Sequence, residues 1–217
     1  MLRKNRYFFI PYFIFLIVGF VLVNSFTKGE IHITINQYHN SFSDIFFKYA
    51  TFIGEGLFAS LVILVLAFYR FRDSLLVLSA IILSSIIAQF LKKIVFSDIV
   101  RPKAYFEGVS KLHFVEGVEV HSLFSFPSGH ATLSFTLLAC MAFIVKNNGI
   151  KTMLLILAII ASWSRIHLSQ HFFIDVYFGS LLGVSCSLLT FWFFEYKVNT
   201  VNGLNKSLKA YIVKHKE

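Results

Sequence analysis

The chain has 217 residues, of which 57% are hydrophobic, 18% aromatic and only 14% charged, with 27 Phe and a formal net charge of +9. A soluble core in a chain this short cannot absorb so much aromatic surface, so the composition points to a single integral-membrane domain over residues 1–217. The cations are scattered between apolar blocks, which argues against nucleic acid as a partner and for charge that orients the chain in a lipid bilayer.

The predicted elements are helices throughout. Arg3, Lys4 and Arg6 precede an apolar run over residues 7–26. At about 1.5 Å per residue that run is about 30 Å long, which matches the hydrocarbon thickness of a bilayer. It is longer than the apolar centre of a secretory signal and no small-residue cleavage site follows, so a retained anchor is expected. His32, Asn36, Gln37 and His39 fall in the loop behind it. An amphipathic stretch at 41–49 leads into a second span at 50–69. Further spans are expected at 74–96, 131–145, 152–166 and 172–194, the two central ones being short for a full crossing. The expected fold is all-α, a six-helix transmembrane bundle followed by a basic tail at 196–217. Cys140 and Cys186 both lie in apolar runs and read as buried small hydrophobes rather than a disulfide.

Orientation follows from the distribution of positive charge. With both termini cytoplasmic, 12 of the 20 Lys and Arg residues lie inside, including Lys197, Lys206, Lys209, Lys214 and Lys216 of the tail, which would run along the anionic inner leaflet. Three polar clusters then fall together on the outer face. They are Lys93 with Arg101-Pro102, Pro127-Ser128-Gly129-His130, and Ser164-Arg165 with His171 and Asp175. Ionisable groups at the mouths of apolar segments are costly to keep, and their convergence from distant stretches suggests one site.

Each cluster has its own chemistry. His171 and Asp175 are four residues apart, so on a helix they share a face. A carboxylate accepting from one imidazole nitrogen would fix the tautomer and free the other as nucleophile or base; an ion pair at a membrane boundary would use the same spacing. Ser128 is a good cap and Gly129 permits close backbone approach, so the start of the next helix is either an anion pocket with His130 at its rim or simply a capped helix. Lys93, Arg101 and Arg165 are suited to the charge spread over a phosphoryl group in transfer. Lys92 is expected to snorkel at the helix end. His113, His121, Glu107, Glu116 and Glu119 lie in the loop joining the first two clusters, as a lid or as a solvated segment.

Taken together, these parts resemble the type 2 phosphatidic acid phosphatase family, which shares a core with vanadium-dependent haloperoxidases and some soluble bacterial acid phosphatases. The family pattern is a lysine leading to Arg-Pro, then Pro-Ser-Gly-His, then Ser-Arg, five residues, His, three residues, Asp. The second and third parts match in full, and the first has seven rather than six residues between Lys93 and Arg101. The resemblance covers about residues 45–195.

It implies His171 as a nucleophile that becomes phosphohistidine, Asp175 as its orienting partner, and His130 as general acid and then base. Lys93, Arg101, Arg165 and the backbone around Ser128 and Gly129 would hold the phosphate. It implies no metal and no other cofactor, and it treats His167 as an intervening residue although His167 and His171 are at ligand spacing. The implied activity is hydrolysis of a phosphorylated membrane lipid in a bacterial inner membrane, with the site on the outer side. Phosphatidic acid, phosphatidylglycerophosphate, undecaprenyl pyrophosphate and lipid A phosphates are the candidate substrates. A phosphotransferase with the same intermediate, and a non-catalytic transporter or lipid-binding protein, are the competing readings.

Overall fold

The computed structural model describes residues 2–198, and among these there is helix and loop but no strand. After a short 3-10 turn at Leu2–Asn5 come α1 (Arg6–Ser25), α2 (Lys28–Gln37), α3 (Ser41–Ala50), α4 (Gly56–Tyr69), α5 (Phe71–Phe90), α6 (Pro102–Tyr105), α7 (Gly129–Ile144), α8 (Asn148–His167) and α9 (Phe173–Phe193). α1, α5, α8 and α9, with their short extensions, are each long and apolar enough to cross a membrane. α3 and α4 together make a bent fifth candidate, with 52° between their axes. α7 is a shorter apolar helix of 16 residues. The all-helical membrane bundle expected from the sequence is present, with the number of full crossings close to six.

Two boundaries differ from expectation for identifiable reasons. The segment behind the first span is the helix α2, because Thr27 and Glu30 form a reciprocal capping box that satisfies the free N–H groups at its start. The second span is not continuous from residue 50. Glu55 is extended (φ −100°, ψ 152°), and the chain turns there between α3 and α4. α3 has its own capping box, between Asn40 and Ser43.

α7 is the centre of the bundle, and Phe135, Leu137, Ala139, Cys140 and Ala142 on it are fully buried. Around it pack Phe8, Phe9 and Tyr12 of α1, Leu76, Val77 and Ala80 of α5, and Leu155 and Ala158 of α8. α9 approaches α7 most closely where Gly179 and Gly183, one turn apart, face it. A Cβ on Gly183 would lie 2.5 Å from the Thr132 carbonyl oxygen, and one on Gly179 2.8 Å from that of Ser128. Small residues at four-residue spacing let two membrane helices bring their backbones together. Outward-facing Ile10, Ile14, Ile17 and Phe20 of α1 and Leu57, Leu61 and Leu64 of α4 are exposed, as expected of a lipid-facing surface. Cys140 and Cys186 are free and buried. At the opposite end from the polar clusters, Arg72 Nη2 pairs with Glu195 at 2.6 Å, and Lys151 donates to the Lys4 carbonyl and Asn5 Oδ1. The remainder of the tail, 199–217, lies outside the described residues.

Candidate active site

The polar clusters meet at one end of the bundle around a cavity of about 540 Å³. Lys92, Arg101, Gly129, His130, Arg165 and His171 line it, with Gly54 and Glu55 from the α3–α4 bend and Ser85 and Gln89 from α5.

His171 is held by the end of α8. Its backbone N–H donates to the Arg165 carbonyl at 3.1 Å, so the two motif residues share one turn. Ser169, between them, has φ 53°, a left-handed conformation that a side chain adopts at a cost. That turn is braced from α2, because Ser169 Oγ lies 3.3 Å from His32 Nε2 and accepts from Asn36 Nδ2 at 3.1 Å. The His171 side chain is almost wholly enclosed. Burial first, then the charges of Arg101, Lys92 and Arg165, holds its imidazole well below the ordinary value, so the ring is neutral at pH 7.

Asp175 sits behind His171 and does not line the cavity. Its Oδ2 is 3.4 Å from His171 Nδ1, close enough for a polar contact but off the line of a directed hydrogen bond, and Nδ1 is a buried nitrogen without one. The better hydrogen bonds to Oδ2 come from the Phe172 N–H at 3.0 Å and from the Ser125 hydroxyl. The carboxylate is thus fixed by two donors before the imidazole approaches it.

The cations are arranged differently from the sequence expectation in one respect. Lys92 is buried and lines the cavity, with Nζ 3.9 Å from the place a Cβ on Gly129 would take, whereas Lys93 is exposed and does not line it. The helix face decides it: α5 runs on through a π turn at 91–95, and Lys92 stays on the face that carries Ser85, Ala88 and Gln89 into the cavity. The Lys92 ammonium makes no hydrogen bond or ion pair to the described residues. Arg101 Nε donates to the Leu123 carbonyl at 2.9 Å, and its Nη1 donates to the carbonyl and side-chain oxygens of Gln170 at 3.2 and 3.0 Å. Burial pushes its guanidinium below the usual arginine range, with Asp175 opposing that effect. Arg165 Nη1 donates to Thr51 Oγ1 at 2.8 Å, and its Nε is buried without a partner.

Ser128 and Gly129 divide their tasks. Ser128 caps α7, its hydroxyl accepting from the Ala131 N–H, and its own N–H donates to the Asp175 carbonyl at 3.0 Å. It is fully buried and does not reach the cavity; Gly129, the first residue of α7, does. The imidazole of His130, on the next position, makes no hydrogen bond to the described residues.

Thr51, Glu55, Ser125 and Gln170 were not singled out by any motif. Gln170 clamps Arg101 and, through Nε2, the Glu119 carbonyl of the outer loop. That loop is also pinned by Lys48 Nζ to the Glu116 carbonyl and by Asn36 to both backbone groups of His113. His121 of the loop borders the cavity. One signal for Lys92 was present in the sequence. At about 100° per residue, Ser85, Ala88, Gln89 and Lys92 share one helix face and Lys93 falls off its centre.

A bundle of apolar helices with buried cations and two imidazoles at one mouth is the architecture of an integral-membrane phosphatase. The model of the PAP2 superfamily matches residues 73–199, and the chain belongs to that family. Among solved structures it is similar to LpxE of Aquifex aeolicus, with a TM-score of 0.67 and 23% identity over 75% of this chain and 93% of that one. It is also similar to a transmembrane PAP2-type phosphatidylglycerolphosphate phosphatase from Bacillus subtilis, with a TM-score of 0.63 and 23% identity over 94% of this chain and 100% of that one. At these identities the likeness is one of fold. A comparison with curated protein sequences finds no match.

Proposed function

We propose that this protein is a metal-independent lipid phosphatase that cleaves a phosphomonoester or pyrophosphate through a phosphohistidine. The observation that carries the reading is the enclosure of Lys92, Arg101 and Arg165 around a cavity shared with His130 and His171. Buried cations without a matching set of carboxylates call for an anion. Because Asp175 lies against Nδ1, His171 Nε2 is the nitrogen left to attack phosphorus. As the P–O bond to the lipid breaks, His130 delivers a proton to the leaving oxygen, and the three cations stabilise the equatorial oxygens. A water then attacks the phosphohistidine with its proton passing to His130, the P–N bond breaks, and inorganic phosphate leaves.

The distribution of cations supports a bacterial inner-membrane protein with cytoplasmic termini and this mouth on the outer face. A lipid can then stay in the bilayer while its head group reaches the cavity. The candidate lipids are phosphatidylglycerophosphate, phosphatidic acid, undecaprenyl pyrophosphate and lipid A phosphates, and the likeness to the Bacillus subtilis phosphatidylglycerolphosphate phosphatase supports including the first.

The test is a comparison of kcat/KM over these four lipids with purified protein and chelator present, beside the His171→Ala variant. One lipid should stand out, with phosphate released in proportion to lipid consumed and an inactive variant. Full activity in His171→Ala would remove the nucleophile assignment. Lipid lost without free phosphate would indicate a phosphotransferase.

A further inference from the structure

Outside the phosphate cavity, three side chains from separate stretches of the chain meet at the same end of the bundle. They are His39 from the α2–α3 connection, Asp44 of α3 and His113 of the outer loop. One ligand atom from each lies within 4.8 Å of the other two. His113 Nε2 is 2.8 Å from Asp44 Oδ2, and the His39 ring is parallel to that of His113 with 3.7 Å between centroids. None of the three lines the phosphate cavity.

We propose that His39, Asp44 and His113 form a binding site for a borderline divalent cation of the zinc class. Two imidazoles and one carboxylate are the donor set that such ions prefer, whereas magnesium and calcium favour oxygen alone. Three protein donors leave a fourth, tetrahedral position for water. His39 is exposed, so the ion arrives from solvent, while Asp44 and His113 are half-buried and already oriented.

The surrounding groups fit that assignment. His167 Nε2 contacts the other carboxylate oxygen, Asp44 Oδ1, at 2.8 Å, which turns Oδ2 toward the two imidazoles. Asn36 fixes the backbone of His113 on both its N–H and its carbonyl. Donors about 2.1 Å from a tetrahedral zinc are about 3.4 Å apart, so His113 Nε2 and Asp44 Oδ2 open from 2.8 Å while the exposed His39 swings in. The ion takes the position between His113 Nε2 and Asp44 Oδ2, with His113 binding as the neutral tautomer that carries its hydrogen on Nδ1. The bound ion would staple α3 to the outer loop, whose Glu119 carbonyl is held by Gln170 of the catalytic turn.

The experiment uses the full chain, free of any affinity tag, stripped with chelator and titrated with zinc chloride against a chromophoric competitor. Cobalt serves as the spectroscopic probe. One tightly bound ion per chain is expected, with the absorption of tetrahedral cobalt. His39→Ala should weaken zinc binding by at least about tenfold, as loss of a ligand or its support commonly does. Its metal-free melting temperature should match that of the wild type, since His39 is exposed. His171→Ala should bind zinc as the wild type does. Absence of the ion from the wild type, binding unchanged by both His39→Ala and His113→Ala, or binding lost in His171→Ala would each overturn the site. None of these readouts depends on turnover. Loss of activity on chelation in both wild type and His39→Ala would instead count against the metal-free mechanism.

Discussion

Ser125 donates its hydroxyl hydrogen to Oδ2 of Asp175, the oxygen that also faces His171 Nδ1. The carboxylate is therefore set in place by a residue just upstream of the Pro-Ser-Gly-His motif. Ser125→Ala should lower kcat by about tenfold with KM little changed, as loss of an orienting second partner commonly does. Ser125→Thr should restore part of it. A pure rise in KM would show that Ser125 acts on substrate binding instead.

Lys92 and Lys93 provide an internal control. Lys92→Met removes a buried cavity charge and should reduce kcat/KM by about a hundredfold, a loss of roughly 2.7 kcal/mol of transition-state stabilisation. Lys93→Met, at an exposed position, should leave turnover within about twofold of wild type. Steady-state kinetics on the two variants decide between the lysines, and equal losses would contradict the inward placement of Lys92.

The pH profile follows from the enclosure of His171. Its imidazole is held well below the ordinary value by burial and by the neighbouring cations, so the ring proposed as nucleophile stays unprotonated as pH falls past about 6.5. The acid limb of kcat/KM assigned to His171 should lie clearly below that point. NMR titration of the ring with its own midpoint near about 6.5 would count against it.

His32 bears on stability rather than turnover. Burial pushes its imidazole down to about 4, and its Nδ1 has no hydrogen-bond partner. Between about 6.5 and that value the unfolded chain binds a proton that the folded chain refuses, so stability is present above the window and falls as pH drops through it. Melting temperatures of wild type at pH 7 and pH 5 should differ more than those of His32→Gln. Equal differences would place the proton uptake elsewhere.

Much of this architecture could be read in the residues. Apolar runs with a helical length gave the spans, and the second and third polar clusters do come to one cavity. The inward face of Lys92 was there in the helical spacing from Ser85, whereas the bend at Glu55, which puts Gly54 and Glu55 on the cavity wall and Thr51 against Arg165, is backbone geometry that periodicity does not encode. α2 read as a loop because its polar residues do not point to lipid. They point to Ser169 and to the outer loop, a tertiary demand that no local pattern announces.

The hydrogen bond from the Ser128 N–H to the Asp175 carbonyl, together with the tight seam of α7 and α9 at Gly179 and Gly183, joins the beginnings of two helices. The distance between the two imidazoles is thereby a property of a rigid crossing and not of the long connection that precedes it. Length changes in residues 107–111, ahead of the contacts that His113, Glu116 and Glu119 make to the bundle, can then alter what reaches the mouth while the two rings keep their spacing.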